Sequence, residues 1–180
     1  LTAYQITKEK RFREIGFQSL NFLKRMTLTK DYFKPIGCNG WLQKGKEPAG
    51  FDEQPVEACE MTLHFLGLCG LSGQEISRHG FGMAKMCFFW YCGNNSGKLC
   101  LLDHETGGWY DGIETVGLNL NQGAESVVSF WIAYLAMNPM PNNFYRLHPF
   151  AAADSFLNGI SSKHHKRSQQ SLWASFLMFS

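Results

Sequence analysis

The side chains best suited to chemistry are concentrated in a glycine-rich stretch, residues 103–125. Trp109 and Tyr110 have flat apolar faces with polar edges, which suit stacking on a sugar ring. Glycines let the backbone approach a ligand closely or adopt a positive φ. The polar side chains that could hydrogen-bond a hydroxyl-rich ligand are Asp103, His104, Asp111, Asn119, Asn121, Gln122 and Glu125. We therefore predict a saccharide-binding loop; the alternative is a structural loop whose polar groups satisfy its own backbone.

Asp111 and Glu57 are the carboxyl pair that we predict for catalysis. Glycoside hydrolysis requires one protonated carboxyl group as the acid and one ionised group as the base or nucleophile. Glycines beside Asp111 leave its carboxylate room to approach a substrate, and Glu125 is a third candidate. A non-catalytic interpretation stays open for Glu57 and Glu125, because an acidic side chain in the first turn of a helix stabilises that helix through its dipole.

Three further ligand-binding residues are expected near the first long loop: Trp41, Asp52 and Gln54. Trp41 is either a sugar-stacking platform or a cap on the core. His104 is either a proton shuttle near neutral pH or a hydrogen-bonded part of its loop.

The shared helix face of Glu57, Glu60 and His64 is the best metal candidate in the sequence. A metal would need more ligands from elsewhere, so a polar helix face is the preferred interpretation. The glycines form neither a GxxxxGK[ST] motif nor a strand followed by GxGxxG, which excludes the familiar phosphate-binding loops. We predict no metal and no cofactor.

Composition narrows the class of protein. A chain of 180 residues can form one domain with a substantial core. Its formal net charge is only +2, which predicts no nucleic-acid partner, and the basic run 163–167 is typical of a solvated tail. No apolar run reaches the roughly 20 residues needed to span a bilayer. Six cysteines without CxxC spacing predict free thiols in a reduced, cytoplasmic setting.

Hydrophobic periodicity predicts the helices that must position these residues: 9–26, 55–70, 74–91 and 123–137. The loops between them, 28–54 and 94–122, carry most of the site candidates and are expected at the same end of the helices. No strand-like alternation of adequate length is present, so we predict an all-α fold.

The end of the chain has a different character. The last predicted helix should face the core through Ala124, Val127, Val128, Trp131 and Leu135. We expect residues 1–145 to form the folded domain and residues 146–180 to be a polar, weakly ordered extension. Because a helical pattern begins almost at once after Leu1, we expect the chain to be a piece of a longer protein.

Five segments together resemble a family of bacterial all-helical carbohydrate-active domains, found alone or fused behind group-one glycosyltransferases. In order they are 35–41 (PIGCNGW), 51–58 (FDEQPVEA), 89–95 (FWYCGNN), 103–112 (DHETGGWYDG) and 119–126 (NLNQGAES). The resemblance covers about residues 10–137 and implies a partial alpha/alpha toroid of antiparallel helix pairs.

The resemblance also implies a saccharide ligand and, in the parent chain, a glycosyltransferase module, since these residues contain no nucleotide-sugar-binding module. The expected function is therefore carbohydrate processing or carbohydrate binding, in a glycosyltransferase-like or glycosidase-like protein. The alternative is a non-catalytic helical interaction domain associated with such a module.

Overall fold

The computed structural model describes residues 1–69 and 74–138. Within them the elements follow one another as α1 (Thr2–Thr7), α2 (Lys10–Thr27), α3 (Pro55–Cys69), α4 (Gln74–Phe88), β1 (Gly112–Glu114), β2 (Gly117–Asn119) and α5 (Ala124–Met137). The four longer helices begin and end within a few residues of the predicted bounds. Helix α1 was not predicted, because it has only six residues and buries none of them.

Helix α3 is the centre of the fold and packs against both α4 and α5. Pro55 begins it, at the position where a missing backbone N–H costs least. Between α4, α5 and the loop that joins them, aromatic rings meet edge to face, with Tyr91 contacting both Trp109 and Phe130. This aromatic core fixes the 103–125 stretch against the helices.

A two-stranded antiparallel sheet shows that the prediction of an all-α fold is wrong. β1 and β2 form a hairpin with the register Gly112–Asn119, Ile113–Leu118 and Glu114–Gly117. Each strand has three residues, which are too few for a period-two pattern to be recognised in the sequence. The fold therefore combines five described helices with a small hairpin.

The two long loops are in direct contact at Glu53 and Ile113. The N–H of Glu53 donates to the carbonyl oxygen of Ile113 at 2.9 Å, and the N–H of Ile113 donates back at 3.0 Å. Gly112 permits this approach, because a Cβ there would lie 2.2 Å from the carbonyl oxygen of Glu53. Loops 28–54 and 94–122 thus lie side by side, which brings β1 next to the start of α3.

Helix α5 turns a different face to the core from the one predicted. Its buried residues are Ser126, Ser129, Phe130, Ala133 and Met137. Of the residues expected inward, Val127 is half-buried, whereas the exposed ones are Ala124, Val128, Trp131 and Leu135. Apolar residues surround nearly the whole helix, so their spacing cannot decide which face is buried.

None of the helices within the described ranges is long and apolar enough to cross a membrane. None of the six cysteines, all of which lie within the described ranges, forms a disulfide, as their spacing predicted: Cys38, Cys59, Cys69, Cys87, Cys92 and Cys100. The predicted weakly ordered extension, residues 146–180, lies outside the described residues.

Candidate functional site

Glu57 lies in the wall of an apolar cleft beside the first half of α3. The cleft holds about 200 Å³ and is lined by Leu23 and Thr27 of α2, by Phe33, Pro35 and Ile36 of the first loop, and by Val56, Glu57, Glu60, Met61 and His64 of α3. Among the described residues, Oε2 of Glu57 is buried yet has no hydrogen-bond partner. Buried polar atoms are normally paired, so this oxygen lacks a donor, which a proton on the carboxyl group or a ligand that displaces its cover would supply.

The surroundings of Glu57 raise the pKa of its carboxyl group towards neutral pH. Burial raises its pKa to about 7, the charge of Glu53 adds to this rise, and the backbone of Gln54 opposes it. At pH 7 this group is therefore divided between its acid and its carboxylate form, the condition under which a side chain can both give and take a proton.

Glu53 is a second buried acid, and its surroundings differ from those of Glu57. Its side chain is fully buried. The indole N–H of Trp90 donates to Oε2 at 2.7 Å, and the hydroxyl of Ser96 donates to Oε1. Burial raises the pKa of Glu53, while Ser96, Trp90 and the charge of Lys34 oppose the rise. The burial of Glu53 could not be predicted from the sequence, because a glutamate in a loop is normally exposed.

Asp111, the other member of the predicted catalytic pair, serves as a cap for α5. The N–H of Gly123 donates to Oδ1 at 2.7 Å, and the hydroxyl of Ser126 donates to the same oxygen. Gly123 occupies the N-cap position without a side chain of its own, so Asp111 supplies the acceptor that this helix start lacks. Asp111 does not line the cleft that contains Glu57.

Asp103 organises a hydrogen-bonded cluster on the surface of the same loop. Its Oδ2 accepts from the hydroxyl of Thr106 at 2.8 Å and from Nε2 of Gln122 at 2.6 Å. The backbone N–H of Glu105, the hydroxyl of Thr106 and Gln122 keep the pKa of Asp103 below its usual value. Asp103 and Gln122 therefore bind each other across the loop, and His104 beside them is exposed.

The two tryptophans proposed as sugar platforms have opposite environments. Trp109 is only 4% exposed, and its ring stacks on Phe130 with 3.7 Å between ring centroids. Its faces are covered, which corrects the expectation that it stacks on a ligand. Trp41 is 69% exposed and has a positive φ of 50°. Its backbone is held by Gly37 and Ala49, so an ordered loop presents this ring to solvent.

The remaining predicted site residues lie at the edges of these elements. The carbonyl oxygen of Asp52 accepts from the N–H of Cys38 at 2.9 Å, and that of Gln54 accepts from the N–H of Glu57 at 3.3 Å. Asn119 is half-buried and accepts from the N–H of Asn121 at 3.1 Å. Tyr110 is half-buried, and Glu125 is exposed in the first turn of α5.

Within the described part of the chain, no group of three or more histidine, cysteine, aspartate or glutamate side chains is arranged to hold a metal ion. His64 instead places Nδ1 at 2.6 Å from the carbonyl oxygen of Glu60, one turn earlier on α3. The exposed residues Glu60 and His64 thus form a polar rim to the cleft.

Comparison of the chain with protein-family models, with curated proteins and with solved structures finds no significant match.

Proposed function

We propose that this chain is a carbohydrate-binding or carbohydrate-processing domain of a cytoplasmic glycosyltransferase-like or glycosidase-like protein, with Glu57 as its acid. The observation that carries the proposal is the carboxyl group of Glu57 in the wall of a cleft, where one buried oxygen has no hydrogen-bond partner among residues 1–69 and 74–138. A pKa raised to about 7 lets this group keep its proton up to nearly neutral pH. Protonation of a glycosidic oxygen requires such an acid.

The surroundings of Glu57 suit one face of a sugar. The walls of the cleft are mainly apolar, and apolar surroundings strengthen any hydrogen bond that the carboxyl group makes to a ligand. Glu60 and His64 at the rim offer polar groups to hydroxyls. Trp41, exposed on an ordered loop, offers an aromatic face on which a further sugar unit could stack.

Binding to a panel of oligosaccharides, followed by saturation-transfer NMR, tests this proposal. Glu57→Gln keeps the shape of the side chain but cannot donate an acidic proton, so turnover of any bound glycoside should fall by about 100-fold or more. Glu14→Gln is the matched control, since it removes the same charge from an exposed position of α2. Absence of saccharide binding would refute the proposal, and equal turnover in the two variants would refute the role of Glu57 as the acid.

The second candidate is a non-catalytic helical interaction domain, and the exposed side of α5 favours it. The large apolar side chains left in solvent on this helix are Val128, Trp131, Ile132 and Leu135. Exposed apolar residues concentrated on one element are typical of a protein-binding surface. Under this alternative Trp131→Glu would abolish association with a partner module, and no saccharide would bind.

A further inference from the structure

Glu53 and Glu57 lie four residues apart at the start of α3, the charge of Glu53 acts on Glu57, and the two acids differ in their hydrogen bonding. Each oxygen of Glu53 accepts a hydrogen bond from a side chain, one from Trp90 and one from Ser96. An indole N–H can only donate, so Trp90 is a partner for a carboxylate oxygen. In the described residues Oε2 of Glu57 has no donor. Donors favour the charged form of an acid, and therefore the negative charge of the pair belongs on Glu53 and the proton on Glu57.

The backbone holds Glu53 in place for this role. Its N–H and carbonyl group both pair with Ile113, so the residue cannot shift without separating the two loops. Trp90 and Ser96 follow α4, whereas Glu57 lies in the first turn of α3. Glu53 therefore connects the loop after α4 to the segment that leads into α3.

We infer that Glu53 is a positioning residue for Glu57: its buried carboxylate, fixed by Trp90 and Ser96, keeps the proton on Glu57 where that side chain meets the cleft. This inference deepens the proposed function, in which Glu57 is the acid. Glu53 itself is fully buried, so it acts through Glu57 and not on a ligand.

Three other charged or titratable groups of the described residues lie near this pair of acids or line the cleft: Lys34, Glu60 and His64. Lys34, from the first loop, lowers the pKa of Glu53 and so supports the charge at that position. Glu60 and His64 line the cleft from α3 and are exposed to solvent, which screens their effect. Helix α2 contributes only Leu23 and Thr27 to the lining, neither of which titrates.

The titration of Glu57 in the 180-residue chain tests the inference, with no saccharide present. The side-chain carboxyl carbons of ¹³C-labelled glutamate report protonation, and Glu57→Gln identifies the resonance by removing it. In Glu53→Gln the amide oxygen can accept from Trp90 and its NH₂ can donate to Ser96, so the hydrogen bonds survive while the charge is lost. We expect the midpoint of Glu57 to fall by about one pH unit or more, since a like charge has been removed.

Ser96→Ala provides a second route to the same result if Glu53→Gln does not fold. It removes one donor from Glu53 and disfavours the charge there, so the midpoint of Glu57 should again fall, by a smaller amount. An unchanged Glu57 midpoint in the folded Glu53→Gln protein, or in Ser96→Ala when that variant alone folds, would overturn the inference. Failure of the unmodified chain to bind saccharides would instead refute the proposed function. It would not affect the inference that Glu53 controls the protonation of Glu57.

Discussion

The start of α3 and the 103–125 loop contain similar acids and aromatic rings, yet the structure uses them in different ways. In the loop, Asp111 caps α5 and Asp103 binds Thr106 and Gln122, so each acid has its partners within the protein. At the start of α3, Glu57 retains a buried oxygen with no partner among the described residues. Residue types alone suggested two parts of one site. The difference lies in hydrogen bonding: the carboxylates of Asp103 and Asp111 are used to hold the loop, whereas Glu57 keeps an oxygen that no described residue binds.

The largest expected effect is the loss of stability when the ring of Trp109 is removed from the loop. Trp109 is almost fully buried and stacks on Phe130. Trp109→Ala should therefore lower the free energy of unfolding by about 3–5 kcal/mol, measured by urea denaturation. Trp41→Ala is the control and should change it by less than about 0.5 kcal/mol, because that ring is exposed. Similar losses in the two variants would contradict the contrast between these rings.

Ionisation of Glu57 is expected to lower the free energy of unfolding by about 2 kcal/mol as the pH rises. Its pKa is about 7 in the folded protein, against an ordinary value of 4.5. The folded state therefore binds this proton more tightly, and the stability that this provides is complete below pH 4.5 and lost as the pH rises to 7. The full shift would correspond to roughly 3 kcal/mol, reduced here because the group is partly exposed to solvent.

Urea denaturation of the parent chain and of Glu57→Gln at pH 4.5 and pH 8 measures this penalty. The variant cannot ionise, so it should gain stability relative to the parent between the two pH values. If the difference in unfolding free energy between the two proteins is the same at both pH values, Glu57 titrates normally. The contrast drawn between Glu57 and the acids of the 103–125 loop would then be wrong.

Replacing Asp111 is expected to change the stability of the protein and not its chemistry. Asp111→Ala removes the acceptor for Gly123 and Ser126 at the start of α5, and the expected loss is about 1–2 kcal/mol of unfolding free energy. Glu105→Ala, an exposed change in the same loop, should stay within about 0.5 kcal/mol. If Asp111→Ala leaves stability intact but abolishes saccharide turnover, the catalytic assignment of Asp111 returns.

The smallest effect is expected at Glu125, another acid that the sequence offered as a ligand. It is exposed in the first turn of α5, where its charge interacts with the helix dipole. Glu125→Gln should cost about 0.3–1 kcal/mol at low salt and less at high salt. A cost that does not depend on salt would indicate a specific contact in place of a dipole interaction.

Local pattern in the sequence predicted the helices well and the tertiary contacts poorly. Pro55 and the apolar spacing of α3 define that helix without help from the rest of the chain. The inward face of α5 could not be predicted, because Val128 and Phe130 are equally apolar and only packing against α3 decides which is buried. The strands escaped notice because each is only three residues long.

In the candidate site, too, local features could be predicted from the sequence and tertiary contacts could not. Glu57 was recognised from its place near a helix start, which is a local property. The capping role of Asp111 depends on the hairpin returning the chain so that Asp111 meets Gly123 and Ser126. Burial of Glu53 depends on Trp90 and Ile113, both far along the chain. Such distant contacts leave no periodic signal in one sequence.

The pairing of Glu53 with Ile113 also bears on the order in which the protein folds. Helices α3 and α4 both lie between these two residues in the chain, so their packing shortens the span that the pairing must close. Contacts of long sequence separation tend to form after local ones, and we expect the backbone amides of Glu53 and Ile113 to gain protection from hydrogen exchange later than those inside the helices. The acid at the cleft wall would then acquire its unusual environment as a late event, when the helical core has already assembled.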